Sequence, residues 1–355
     1  MSDYVCEELI VEIFTRLPPK SLLRFRSLSK SLFNCISSPD FIRMHTFRSP
    51  KKVIFKHGNS LYNKDTEKFY TLFKEDELAL CLERGYIGTT TTVPYPCSTS
   101  FRTVGSCNGT FCLKTNTKKG FSLWNPSIRR KLNAPDCPGA CELHLGGTGF
   151  GFDRMSDDYK IVCLSLMRHI TFVYAVKTGT WCEIASPRPE FDHVLYEAVS
   201  LNGVLHWEVH YFKYLHSYIL TFDLSSHVFG MIPLPASTRH WLTTGVTTIQ
   251  GCFALISYIR DVDDTCIRVW RDASWSVVFK LGTGQLPIDG ALQPNNGDLL
   301  LDIYSKGLHV FNPKTQVPPR VININVASRE MHFHQCIETL HLLDIGDTAC
   351  EKNPL

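Results

Sequence analysis

No apolar run in this 355-residue chain approaches the roughly 20 residues that a membrane helix requires. Charge of one sign is scarce as well: 37 Lys and Arg oppose 34 Asp and Glu, for a formal net charge of +3. The basic residues are scattered, and no cluster is longer than Arg129-Arg130-Lys131. The stripe needed by a phosphate-backbone binder is therefore missing, and nucleic acid is not an expected partner. The first residues lack the basic and apolar regions of an export signal, with Glu7 and Glu8 there instead. Helical periodicity is nearly absent after Pro50, apart from a helical turn expected between Asp76 and Arg84.

Signatures of chemistry are equally sparse. There is no Gly-x-Ser-x-Gly elbow, and no paired carboxylates stand out. Gly146-Gly147-Thr148-Gly149-Phe150-Gly151 is glycine-rich, but neither Lys-Ser/Thr nor a helix follows it. It reads as the entry to a strand and not as a phosphate loop. Cys137, Cys141 and His144 offer three zinc ligands without a fourth. Asp261-Val262-Asp263-Asp264 lacks the glycine and distal glutamate of a calcium loop. His193, His206, His210, His216 and His240 could converge at one mouth of a circular β-fold, but they read more simply as scattered strand and turn residues. The expectation is no catalytic residue, no metal and no cofactor.

What the chain does have is 44% apolar residues against 20% charged, an ordinary globular balance with material for a large core. Its 14 cysteines are irregularly spaced, many among apolar strand residues, as at Cys163 and Cys252. In a long chain without an export signal they read as buried free thiols of a reducing compartment, cytoplasmic and/or nuclear. The tryptophans at 124, 207, 270 and 275 read as strand core.

The N-terminal stretch is helical. Leu9, Ile10, Ile13, Phe14 and Leu17 share one helix face, with Glu7 and Glu8 in the first turn and Arg16 in the last, matching the helix dipole. Pro18-Pro19 must end that helix, and Pro19 can open the next, which carries Leu22, Leu23 and Phe25. Ser29 and Ser38 are N-caps for two more helices, carrying Leu32, Phe33 and Ile36, then Phe41, Ile42 and Met44. So small a unit cannot hide so many apolar residues, and some should face a partner.

Beyond Pro50 short apolar runs alternate with turns. Asn108-Gly109, Asn202-Gly203, Gln250-Gly251 and Asn296-Gly297 each precede a strand, a loop and a second strand. The unit recurs roughly every 45 to 50 residues, the spacing of propeller blades.

These residues carry a family resemblance. Glu7 to Ile13, Leu17-Pro18-Pro19-Lys20-Ser21-Leu22-Leu23-Arg24-Phe25-Arg26, Ser29-Lys30-Ser31 and Ser38-Pro39-Asp40-Phe41 resemble the F-box motif. Gly105 to Gly109, Leu123-Trp124-Asn125-Pro126-Ser127, Gly149 to Asp153 with Asp157 to Lys160, and Leu201 to Trp207 resemble the F-box-associated domain of plant F-box proteins, related to kelch propellers. The implied fold is mainly β with a small α N-terminal domain: an F-box over residues 1–48 and a β-propeller of six to eight blades over 49–350.

The implied function is that of a non-catalytic substrate-recognition subunit of a ubiquitin ligase. The F-box would bind a Skp-type adaptor, and through it a cullin–RING ligase, using Val5, Leu9, Ile13, Leu17, Pro18, Leu22, Leu23, Phe25 and Leu32. The propeller would bind a client protein. The sequence departs from the pattern at Val5-Cys6, where Leu-Pro is usual, and at Leu32, where Trp is common. It also compresses the stretch Val269 to Leu281. Two alternatives are an F-box scaffold or decoy acting outside a ligase, and a propeller that binds a small ligand.

Overall fold

The computed structural model describes residues 6–343, except 59–67, 75–77, 79–85, 88–90, 95–100, 116–119, 139–144, 166–169, 187–190, 192, 196, 212–215, 236–240, 260–263, 282–287, 295–296, 304–305, 316–318 and 325–330. Val5, His144, His240, most of the acidic stretch 261–264 and nearly all of the helical turn expected at 76–84 lie outside the described residues.

Four short helices come first: α1 (Glu7–Phe14), α2 (Pro19–Arg26), α3 (Lys30–Ser37) and α4 (Pro39–Arg48). Their limits are those that the proline and serine signals dictate. Pro18 is extended (φ −60°, ψ 147°) and Pro19 occupies the first position of α2. The Ser29 hydroxyl accepts from the Leu32 N–H at 3.1 Å and the Ser38 hydroxyl from the Phe41 N–H at 3.2 Å, each capping orphan donors of a helix start. Leu22, Ile36 and Phe41 are fully buried, but not by the helices alone: Leu340 and Leu343, from the far end of the chain, complete this cluster together with Ile128. No described helix is long and apolar enough to cross a membrane.

The remaining described residues form six blades and a small parallel pair, Tyr86–Ile87 with Asn323–Ile324. Blade 1 orders Met331–Ile337, Lys51–Gly58, Lys68–Lys74 and Thr91–Pro94 from inside outward. Blade 2 comprises Phe101–Cys107, Thr110–Thr115, Phe121–Asn125 and Arg130–Asn133. Blade 3 comprises Leu145–Asp153, Asp158–Ser165, Ile170–Ala175 and Thr180–Ala185. In blade 4 the inner strand is split into His193–Val194 and Val199–Leu201, followed by Val204–Tyr211, His216–Asp223 and Phe229–Pro233. Blade 5 comprises Trp241–Ile249, Cys252–Ile259, Asp264–Arg271 and Ser274–Lys280. Blade 6 comprises Ile288–Leu292, Leu299–Ile303, Gly307–Phe311 and Arg320–Val321. The inner strands touch in sequence and close a ring. The chain's last strand, Met331–Ile337, is the innermost strand of its first blade, so the ring is latched by residues nearly 300 positions apart in sequence.

The turn residues explain the repeat. Asn108-Gly109, Asn202-Gly203 and Gln250-Gly251 all have positive φ at both positions, the conformation that a two-residue hairpin matched to strand twist demands. The compressed stretch at Val269 is the same device on an outer hairpin: Asp272 and Ala273 both have positive φ, and Trp270 faces Trp275 across the turn.

The core is divided among the blade interfaces. Within one strand, Phe111 and Leu113 face blade 1 while Cys112 faces blade 3. Ile161 and Cys163 face blade 2 while Val162 and Leu164 face blade 4. Because alternate residues point to opposite faces and both faces are covered, these strands read as continuous apolar runs. The same packing accounts for the glycine-rich segment: a Cβ at Gly149 would lie 2.7 Å from Trp207 and 2.8 Å from Leu205, so blade 4 seats directly on that backbone.

Trp124 and Trp207 are buried as expected, whereas Trp270 and Trp275 are only partly buried, between blades 4 and 5. The Trp207 indole donates to the Thr148 carbonyl at 3.0 Å, and Trp275 to the Pro233 carbonyl at 2.8 Å. Of the ten described cysteines, Cys112, Cys137, Cys163, Cys266 and Cys336 are buried. Cys252 is not: it lies half-exposed, its sulfur accepting from the Arg271 guanidinium at 3.3 and 3.4 Å.

Blades 3 and 4 are also joined by charge. The Lys160 ammonium, almost wholly buried, donates to the Asp153 carboxylate at 2.9 Å, to the Leu224 carbonyl at 2.6 Å and to His227 Nε2 at 3.1 Å. Burial alone would raise the Asp153 pKa, but hydrogen bonds from Ser156, Ser225 and Lys160 hold it well below the usual carboxylate range.

Candidate partner-binding surfaces

The residues expected to contact an adaptor do not share one environment. Leu9 and Ile13, one turn apart on α1, are 54% and 53% exposed, and Pro18 is also exposed. Leu17, Leu23, Phe25 and Leu32 are half-buried against the helical cluster. Leu22 is a correction: it is fully buried beneath the surface, on Ile36, Phe41, Leu340 and Leu343, and supports the helices without being displayed.

The α3 phase matters most at the unorthodox position. Leu32 turns inward while Phe33, 100° further round the helix, turns outward and carries the Arg26 guanidinium over its ring at 4.1 Å. Leu28 (69% exposed), Phe33 (45%) and Phe47 (91%) are exposed apolar residues that the sequence reading did not assign to the surface. A stricter helical phase from the Ser29 cap would have separated Phe33 from Leu32.

Charges tie this block together from outside. The two oxygens of Glu12 accept from Arg16 at 2.7 Å and from Arg48 at 2.6 Å, which hold its carboxyl below the usual range and pin α1 to α4. His45 is buried with Nε2 2.9 Å from the Leu17 carbonyl; burial pushes its pKa down.

Below the helices runs a C-terminal splint. Glu338 pairs with Lys52 at 2.6 Å, and the Thr339 and Thr46 hydroxyls meet at 2.9 Å. Asn125 donates to the Thr339 and His341 carbonyls at 3.1 and 2.8 Å, and Arg130 donates to the Leu343 carbonyl. Gly109 lets the splint pass: a Cβ there would lie 2.0 Å from the Ile337 carbonyl oxygen. The splint, the start of the Lys51 strand and the tight turns at 108–109 and 157 all sit where first strands hand over to second strands. That end of the propeller therefore carries the helices, and the ends of the second strands at Thr115, Ser165, Tyr211, Ile259 and Ile303 lie on the opposite face.

A channel of about 620 Å³ runs among the inner strands. Its polar lining includes Arg102, Thr103, Glu197, Asp302 and His334. Glu197 pairs with Arg102 at 2.5 Å and accepts from the Thr148 hydroxyl; burial, partly offset by Arg102, pushes its carboxyl up. The buried Thr103 hydroxyl has no partner among the described residues. Among the described residues, the histidine that lines the channel is His334, from the closing strand.

Of the histidines singled out in the sequence, His193, His206 and His210 do not line the channel, and His240 lies outside the described residues. His206 stacks on Phe253 of blade 5, ring centroids 4.6 Å apart. His210 lies 2.9 Å from the Ser217 hydroxyl and 3.4 Å from the Glu208 carboxylate, and His193 sits opposite it in register. His216 belongs to the neighbouring strand, with its side chain outside the described residues.

Comparison with known proteins matches both regions. Residues 5–44 match the F-box domain, and residues 56–276 match the F-box associated beta propeller domain. A putative F-box protein of Arabidopsis thaliana, At3g16210, is 30% identical over 251 residues, which is 68% of this chain and 65% of that protein. An F-box/kelch-repeat protein of the same plant, At3g23880, is 26% identical over 86% of each chain. The Arabidopsis F-box protein CPR1 is 26% identical over 77% of this chain and 71% of its own.

Proposed function

Since the chain belongs to the F-box proteins that carry an F-box associated beta propeller domain, we propose that it is the substrate-recognition subunit of a Skp–cullin–F-box ubiquitin ligase. In this reading Leu9, Ile13, Pro18 and the exposed edges of Leu17, Leu23, Phe25 and Leu32 meet a Skp-type adaptor, with Phe33 beside them. Val5 belongs to the same proposed surface. A client protein binds the loops at the propeller face opposite the helices, in the cytoplasm and/or nucleus. The chain itself performs no bond chemistry; it contributes proximity and orientation to a reaction carried out by its partners.

The observation that supports this best is the splint from Glu338 to Leu343, which packs against both regions and fixes the distance between them. A rigid spacer is what a presenting subunit needs. The test is co-expression of the full chain with a Skp-type adaptor. Wild type should co-purify with it, and Leu9→Glu/Ile13→Glu should lose the adaptor while leaving the propeller's thermal transition in place. Failure of the wild-type chain to bind would overturn the ligase reading and leave a scaffold or decoy role.

A further inference from the structure

The helices and blade 3 do not meet flush. Between them lies a cleft of about 340 Å³ lined by Pro39 and Ile42 of α4, by Phe152 and Tyr159 of blade 3, and by His341 and Leu342 of the splint. The His341 ring is held edge-on by Phe152 (centroids 5.4 Å, 72°) and by Tyr159 (5.5 Å, 83°). Its backbone is satisfied: the N–H donates to the Thr339 hydroxyl at 3.1 Å, and the carbonyl accepts from Asn125 at 2.8 Å. Among the described residues neither ring nitrogen has a hydrogen-bond partner. The charges at the rim are already engaged: Arg43 pairs with Asp40 and Lys177 with Asp157 at 3.0 Å, and both oxygens of Asp158 accept from the Lys177 backbone N–H at 3.0 and 3.2 Å.

We propose that this cleft is a binding site for a small, planar, uncharged molecule bearing one hydrogen-bonding group, such as a carboxamide. The volume lies in the range of small-ligand sites, which favour junctions between domains and apolar walls with few polar groups, and it is too small for a helix. Burial pushes the His341 pKa down to about 4, so at neutral pH its imidazole is uncharged and offers one donor and one acceptor. A carboxamide presents the complementary pair. A charged ligand would lose its hydration without meeting an uncommitted counter-charge. Because the walls come from α4, blade 3 and the splint, an occupant braces the joint between the two regions. That consequence, unlike the binding itself, rests on the function proposed above.

Benzamide is the probe, toluene the apolar control, and ligand-observed NMR on the full chain the measurement. Benzamide should bind and toluene should bind more weakly. His341→Phe, which keeps the ring's shape, should weaken benzamide about fivefold, the worth of one neutral hydrogen bond. Ile42→Trp should fill the cleft and abolish binding, with thermal unfolding used to check its fold. The proposal is overturned if benzamide does not bind, or if it binds both variants as well as wild type. It is equally overturned if binding appears only after removal of residues 344–355, which would make the cleft a seat for the chain's own end.

Discussion

The helical block and the propeller are stabilised in opposite ways. Each blade interface owns an apolar cluster, and the ring is closed by a strand from the far end of the chain. The helical block buries Leu22, Ile36 and Phe41 at its centre and borrows Leu340 and Leu343 to cover them. The propeller is thus stabilised by repetition and closure, as expected for units that each need neighbours. The helices are stabilised by a single strip of chain that is also part of the propeller's rim. The difference teaches that a small recognition module can be folded by the domain it serves.

That contrast can be broken most severely by cutting the strip. A chain ending at Ile337 loses the buried Leu340, Leu342 and Leu343, the first and last of them from the helical cluster, and should destabilise the helical block by on the order of 5 kcal/mol. Calorimetry should then show the helices melting separately, with the propeller transition close to its original temperature. A single transition for the truncated chain at the original temperature would contradict the splint.

The converse is to damage the propeller alone. Lys160→Ala leaves Asp153 buried without its ammonium and should cost about 4 kcal/mol, the usual scale for breaking a buried pair. Chemical denaturation should show the loss in the β signal, with adaptor binding at low denaturant retained.

Acid should then loosen the joint. His341 is pushed down to about 4 and His45 is also lowered, both by burial, so below the ordinary histidine value of 6.5 the unfolded chain takes up protons that the folded chain refuses. Stability contributed by His341 is complete above pH 6.5 and is lost progressively as the pH falls to about 4, by about 3 kcal/mol in all. Asp158, raised by burial, opposes the trend at its acid end. Melting temperatures of wild type and His341→Phe across this window should converge in slope only if another group carries the effect.

The smallest expected effect is at a cap. Ser38→Ala frees the Phe41 N–H at the start of α4 and should cost about 1 kcal/mol. Loss of helical circular dichroism before any change in the β signal would place it, as expected, in the weaker region.

Much of this was legible in the sequence. Pro18-Pro19, Ser29 and Ser38 mark helix limits because proline and capping chemistry act within a few residues. The Asn-Gly turns mark the blades because positive φ is a local requirement. Leu22 was misplaced because local periodicity shows that a face is apolar but not what will cover it. His341 and His334 carried no signal, as nothing near them in sequence marks a cleft or a channel.

The amino-acid sequence by itself determined the four helices and the repeated turn-and-strand units, which rest on short-range sterics and periodicity, and it carried the motifs by which the family is recognised. Tertiary structure decided the number of blades, the closing strand, the splint and the cleft at His341. Those depend on which distant segments find one another, and residues such as Leu340 and Ile36, about 300 positions apart, meet only once the ring has closed.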